Sequence, residues 1–343
     1  MTTPNIFDFA TSELSQDAFV CWLAAWADPG CREADGPLHA TGTAFVARLL
    51  EVGRGPKVAE VRSVQVRRQW RDIDVLLVVN GDTAIVIEDK TDTKDHSDQL
   101  RRYKSAVAAE FPADRIAAVY LKTGDQGNYR AVAEAGYGRF LRKDFLAVLD
   151  LGERAGVNSD VFTDFHRHLR KVESAVQSFR AARLAEWNLD WNRWKGFFIA
   201  IQECLGEGDW NSVSNKSGGF MGFWWHWRDD KYLQLENEKL CFKIMVTDEA
   251  QQTAKWWEWH NALAAESGSV GIKITKPVRR DGRTMTVAVL DGDYRQTDAG
   301  GSLDLEGTVA VLRRAEALVD AAANRLASAR EVGGGAALPV EQP

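Results

Sequence analysis

The stretch from Ile73 to Tyr103, IDVLLVVNGDTAIVIEDKTDTKDHSDQLRRY, constrains this chain more than any other. Two apolar runs, 74–79 and 84–89, flank Asn80-Gly81-Asp82. Asn-Gly between apolar runs signals a tight antiparallel hairpin, because both residues tolerate the positive φ such a turn needs. Asp74 opens the first run and Glu88-Asp89-Lys90 closes the second, so pairing sets these charges side by side. Strand side chains alternate with period two. Glu88 and Lys90 therefore share one face, while Asp89 points to the other.

Two carboxylates and an ammonium at one sheet end can bind a hard divalent cation beside a water, which suits phosphodiester hydrolysis. Mg²⁺ takes about six oxygens and keeps several waters, so one or two carboxylates suffice. Asp74 and Glu88 supply them, and the backbone carbonyl of Asp89 is a further candidate. Lys90 is placed to orient the water or offset negative charge. Downstream, Gln99 and Tyr103 stand four residues apart on one helix face, with Arg102 three from Gln99. An amide and a phenol there can position a phosphate or the lysine. Taken singly, these features also read as solvated charge and a turn residue; their conjunction points to a metal site.

The chain has 343 residues, 45% hydrophobic and 27% charged, which is globular composition and room for two domains. It carries no run of about 18 apolar residues and no basic-then-apolar leader, so the expectation is a cytoplasmic protein with no membrane span. Cys21, Cys31, Cys204 and Cys241 show no metal-ligand spacing and read as reduced. A net charge of −6 excludes a surface coated in basic residues. Phosphate contact must then come from local clusters. The candidates are Arg67, Arg68 and Arg71; Arg101, Arg102 and Lys104; Arg167, Arg170 and Lys171; and Lys273, Lys276, Arg279, Arg280 and Arg283.

Along the chain, Phe19, Trp22, Leu23 and Trp26 mark an amphipathic helix over 15–27, with Ser15 a suitable N-cap. The Gly- and Pro-containing 28–42 reads as loop, and a second helix is expected over 43–52. Strands follow at 58–68, 74–79 and 84–89, a helix from Ser97 or Asp98 to about Glu110, and a strand at 116–121. This gives a mixed α/β core spanning residues 1–155. A long connecting helix within 156–185 is expected, carrying Phe162, Phe165, Leu169, Val172, Val176 and Phe179 at heptad-like spacing. That seam fits packing on the core or, alternatively, a homodimer. Ten of the thirteen tryptophans fall between Trp187 and Trp259, marking an aromatic-rich α+β domain over 186–330. Strands are expected there at 220–228, 232–236, 239–246, 270–276 and 284–290, with helices near 253–267 and 303–329. Residues 331–343 read as a disordered tail. Trp224, Trp225, Trp227, Trp256, Trp257 and Trp259 suit core packing first and base stacking second. Alternation puts Trp225 and Trp227 on one face with Phe223. His96 precedes the Gln99 helix, while His39, His166, His168, His226 and His260 show no partner pattern.

The set Asp74, Glu88-Asp89-Lys90, then Gln99-x-x-x-Tyr103 resembles the PD-(D/E)xK nuclease superfamily. The opening ELSQDAFVCWL (13–23), with IEDKTDT and HSDQLRRY, is similar to an uncharacterised bacterial and phage branch with a Q-x-x-x-Y motif. The resemblance is firmest over 5–125. It implies a restriction-endonuclease-like αβββαβ core, Asp74 and Glu88 as metal ligands, Lys90 as catalytic lysine, and Gln99 and Tyr103 as supporting residues. It also implies a catalytic Glu from the first helix, matched by Glu13, with Asp17 next; by alternation Asp72 shares a strand face with Asp74 and is a weaker alternative ligand. The proline that often precedes the first acid is replaced by Arg71-Asp72-Ile73. The implied activity is a Mg²⁺-dependent deoxyribonuclease (Mn²⁺ a substitute) acting in phage defence or repair. DNA would be contacted through Arg68, Arg71, Arg101 and Arg102; nothing in the residues separates DNA from RNA. The competing reading is a non-cleaving nucleic-acid-binding or scaffold protein of the same fold.

Overall fold

The computed structural model describes residues 4–91, 98–187, 190–214 and 218–334. Two compact units meet in sequence at Ser174 and Ala175.

The first unit opens with helices α1 (Glu13–Ala25) and α2 (Gly36–Val52), followed by strands β1 (Val64–Trp70), β2 (Ile73–Val79) and β3 (Thr83–Lys90). Helix α3 (Gln99–Ala108) leads to β4 (Ile116–Lys122); α4 (Arg130–Glu134), β5 (Gly138–Leu141), α5 (Arg142–Arg154) and α6 (Asp160–Gln177) follow. One sheet runs β1-β2-β3-β4-β5. Its first three strands pair antiparallel, and β4 and β5 add parallel. Asn80 and Gly81 both adopt positive φ in the β2–β3 turn, as their side chains permit. The β1–β2 turn does the same with Arg71 and Asp72, at φ 50° and 68°.

Strand alternation splits the core in two. Val75, Leu77, Ile85, Ile87, Val119 and Leu121 face one way, into a cluster with Phe19, Leu23, Phe45, Phe145 and Phe165. Leu76, Ala84, Val86 and Tyr120 face the other, against Leu100, Tyr103 and Val107 of α3. The heptad-like residues of α6 are spent inside the chain: Phe162, Phe165 and Leu169 are 1–2% exposed in the first core. These three residues therefore take the core-packing alternative.

Helix α2 starts seven residues before its expected position. Asp35 caps it by accepting from Leu38 N at 2.8 Å, and a proline in the first turn costs no hydrogen bond. Gly42, read as loop, is helical for a packing reason: a Cβ there would meet Leu23 O at 2.7 Å and Ala27 N at 2.8 Å. Likewise α1 begins at Glu13, after Ser12 and not Ser15.

The second unit contains α7 (Trp191–Leu205), β6 (Asp209–Val213), β7 (Phe220–Arg228), β8 (Lys231–Glu236), β9 (Lys239–Met245) and α8 (Gln252–Glu266). Strands β10 (Ile274–Thr275), β11 (Thr284–Leu290), β12 (Gln296–Thr297) and β13 (Leu303–Asp304) and the long α9 (Leu305–Gly334) complete it. Six strands form a sheet of order β10-β11-β9-β8-β7-β6. Trp187, Trp194, Trp210, Trp225, Trp256 and Trp259 lie in its hydrophobic core. The expected alternation of Trp225 with Trp227 fails. The pairing of β7 with β8 shifts register after Trp225, and His226 sits at φ 53°, so Trp225 is buried while Trp227 is 42% exposed, stacked on Tyr232. A bulge of this kind re-aims the side chains beyond it. All four cysteines are free, and no helix among the described residues is long and apolar enough to cross a membrane.

Candidate functional site

The site lies where the C-terminal end of β3 meets the start of β2 and the first turn of α1. Val75 pairs with Ile87, so the register continued one step sets Asp74 opposite Glu88. Glu88 and Lys90 continue the face that Ala84 and Val86 direct toward α3, while Asp89 continues the opposite face toward α1.

The Lys90 ammonium is ringed by oxygen. It lies 2.7 Å from Glu88 Oε1, 3.7 Å from Asp74 Oδ2 and 3.7 Å from Glu13 Oε2, and it donates to the Asp89 carbonyl at 2.8 Å. Backbone groups fix two of the acids: Asp89 N donates to Asp74 Oδ2 at 3.0 Å, and Thr91 N to Glu13 Oε1 at 3.2 Å. Glu88 is wholly buried. Its Oε1 lies 2.7 Å from the Lys90 ammonium, and no backbone or neutral side-chain donor reaches Oε2 among the described residues. Leaving such an acceptor unmet is costly.

Electrostatics follow from this crowding. Burial, then the neighbouring Asp74, push the Glu88 carboxyl up to about 7, against an opposing pull from Lys90. Burial alone would lower the Lys90 ammonium, but Glu88, Asp74 and Glu13 outweigh it and hold the proton firmly on. An isolated ion pair would lower the acid; here desolvation and a second carboxylate win on the acid's side. Burial also raises the Tyr103 phenol, whose oxygen accepts from Gln99 Nε2 at 2.8 Å, as their spacing predicts.

On the other face lies a network the sequence reading missed. Gln16 Nε2 donates to Asp89 Oδ1 at 2.6 Å, and Thr123 Oγ1 donates to Gln16 Oε1. Burial raises both the Asp17 carboxyl, to about 6, and the wholly buried Asp89 carboxyl beside it. Thus Glu13 belongs with Lys90, whereas Asp17 belongs with the Asp89 side chain. The signal was present, since Glu13, Gln16, Asp17 and Val20 share one face of α1 at helical spacing. Lys122, fully buried and paired in register with Lys90 from β4, was also missed.

Other candidates fare differently. Asp72 occupies the β1–β2 turn and leaves the strand face it was expected to share with Asp74. Arg68, Arg101 and Arg102 are exposed; Arg71 and Arg67 pair with Glu110 at 2.9 and 3.5 Å. The 167–171 cluster is consumed by Asp164, Asp150 and Asp8. His96 lies outside the described residues. His166 and His226 do have partners: Asp150 at 2.7 Å, and Asp320 at 3.0 Å.

Groups of three metal-capable side chains with donor atoms within 4.8 Å of one another occur elsewhere among the described residues, at Asp150, Glu153 and His166, and at Glu207, His226 and Glu316. Both are already engaged by Arg170, and by Arg313 and the Trp225 indole. Glu13, Asp74 and Glu88 instead surround an ammonium, itself a cation with oxygens on several sides. An unmet buried carboxylate oxygen beside two partly open carboxylates fits a hard divalent cation by donor chemistry.

A family model described as PD-(D/E)XK nuclease superfamily matches residues 4–188. No curated protein and no solved structure matches the chain.

Proposed function

Since the chain belongs to the PD-(D/E)XK nuclease superfamily, we propose that it is a divalent-metal-dependent nuclease, with Mg²⁺ as the working ion, hydrolysing DNA phosphodiester bonds. The observation that carries this reading is the ring of Glu13, Asp74, Glu88 and the Asp89 carbonyl around the Lys90 ammonium. Asp74 and Glu88, with the Asp89 carbonyl, would hold the metal. A divalent ion bound there supplies a water of lowered pKa and stabilises charge on the phosphate. Lys90, kept protonated by three carboxylates, brings a fixed positive charge to the attacking water and the scissile phosphate. Glu13 orients the water from α1 or holds a second ion. The Gln99–Tyr103 pair borders the site and positions phosphate or lysine. Arg68, Arg71, Arg101 and Arg102 contact the nucleic-acid backbone. Phage defence or DNA repair is the setting we propose for the activity.

The test is incubation of purified wild type, Lys90→Ala and Glu88→Ala with linear, circular and single-stranded DNA and with RNA, in Mg²⁺, Mn²⁺ or EDTA. Wild type should degrade DNA only with metal, and both folded variants should be inactive. Cleavage retained in both variants removes the assignment, and retarded migration without product makes the chain a binder.

A further inference from the structure

Five cations and one carboxylate occupy residues 273–283 of a chain whose net charge is −6. Ile274 and Thr275 pair with Leu290 and Val289, and the excursion from Lys276 to Arg283, a basic arm, runs back alongside α8, meeting Trp257, Thr253 and Gln252 in turn. Lys273, Lys276, Arg280 and Arg283 are exposed, and no carboxylate pairs with any of them among the described residues. Only Arg279 is tied back, to Asp281 at 2.7 Å and to Thr253.

The arm is held in shape. Lys276 lies 5.0 Å from the centroid of the Trp257 ring, and Trp257 is 43% exposed. Such a contact restrains the ammonium without neutralising it. Pro277 fixes its own φ and restricts the residue before it. Arg283 O accepts from Val246 N at 2.7 Å and Gly282 N donates to Gln252 Oε1, anchoring the returning limb. Val278, midway along the arm, is 87% exposed. Cations held on an anchored segment lose little freedom when they engage a partner.

We infer that the β10–β11 connection is a nucleic-acid-binding arm, its cations contacting phosphates of the backbone. This rests on the nucleic-acid substrate proposed above and adds a contact surface within the second unit. A row of unpaired cations answers a row of phosphates. An acidic protein segment would answer the same charge, but the superfamily the chain belongs to is one of nucleases.

The experiment measures binding of a fluorescent 30-base-pair duplex by anisotropy in EDTA, from low to moderate salt, so that no cleavage intervenes. Wild type, the triple variant Lys276→Ala/Arg280→Ala/Arg283→Ala and the double variant Arg280→Lys/Arg283→Lys are compared as full chains, with folding checked by circular dichroism. Because the three side chains are exposed, the triple variant should fold. Each lost phosphate contact removes about 0.9 from the slope of log K against log salt, so the slope should shrink by about 2.7. Affinity at 0.15 M salt should drop about a hundredfold on the same basis. Arg280→Lys/Arg283→Lys should retain the slope. An unchanged slope in the triple variant, with wild type still binding, overturns the arm alone. Failure of wild type to bind any duplex overturns the substrate reading as well. Displacement of the duplex by poly-glutamate more readily than by unlabelled DNA overturns the inference in favour of an acidic protein partner.

Discussion

Glu88→Gln isolates the physical cost at the centre of the candidate site. Glu88 is 0% exposed, and its carboxyl is pushed from an ordinary 4.5 up to about 7, by burial first and Asp74 second. Between those two values the folded chain binds the proton and the unfolded chain has released it. Stability therefore falls as pH rises from about 4.5 to about 7, and levels off above. The gap corresponds to about 3 kcal/mol, at about 1.4 kcal/mol per pH unit. Glutamine keeps the shape and removes the titration. Its loss of the Lys90 contact is a nearly constant offset that cancels when the two pH profiles are subtracted. Asp17 and Asp89 titrate in both proteins and cancel as well. Urea unfolding in EDTA at pH 4 to 8.5 should therefore show wild type losing about 3 kcal/mol relative to Glu88→Gln across that interval. Mg²⁺ requires the charged carboxylate, so it should restore wild type most strongly above pH 7 and leave the variant unaffected. Parallel pH profiles would refute the claim that burial and Asp74 hold this carboxyl protonated. Equal Mg²⁺ stabilisation of both proteins would refute Glu88 as a ligand.

Asp89→Asn should fold with a stability loss below about 1 kcal/mol, because the amide oxygen still accepts from Gln16 and burial already disfavours the charge; Asp89→Leu strands Gln16 Nε2 and should cost about 1–3 kcal/mol by the same denaturation assay. Gly42→Ala forces a methyl to within 2.7 Å of the Leu23 carbonyl and should lower stability by about 1–3 kcal/mol despite alanine's better helix propensity. In the cleavage assay, Lys90→Ala should reduce the rate at least a hundredfold, and Lys90→Arg should not restore it, since a planar guanidinium cannot occupy the position of a compact ammonium ringed by Glu13, Asp74 and Glu88.

What was legible in the sequence was what depends on local rules. Asn80-Gly81 determines a turn by itself, the turn determines the pairing, and period-two alternation then assigns Glu88 and Lys90 to one face and Asp89 to the other. No knowledge of the rest of the chain was needed. The β1–β2 turn obeys the same backbone requirement with Arg71 and Asp72, neither of which announces a positive φ, so Asp72 was read as a strand residue. Gly42 shows the converse: a residue that punctuates most sequences is here demanded by the close approach of two helices, which no window of α2 alone reveals. Strand β5 and helices α5 and α7 went unread for a related reason. They are short or amphipathic segments whose identity comes from the sheet or core they join.

The Asp17–Asp89 pair carries this argument furthest. Each residue was noticed as a candidate for chemistry at the metal face, and each side chain turns away from it into the buried layer between α1 and β3, where Gln16 donates to Asp89 and burial raises both carboxyls. Acid residues near a nuclease motif are counted easily, but only packing decides which of them keep a charge. Burial without a cation keeps the proton on Asp89, while beside Lys90 the same β-strand presents Glu88 to a site where a divalent ion would take the proton's place. Adjacent residues on one strand are thus sorted into structure and chemistry by the face each occupies.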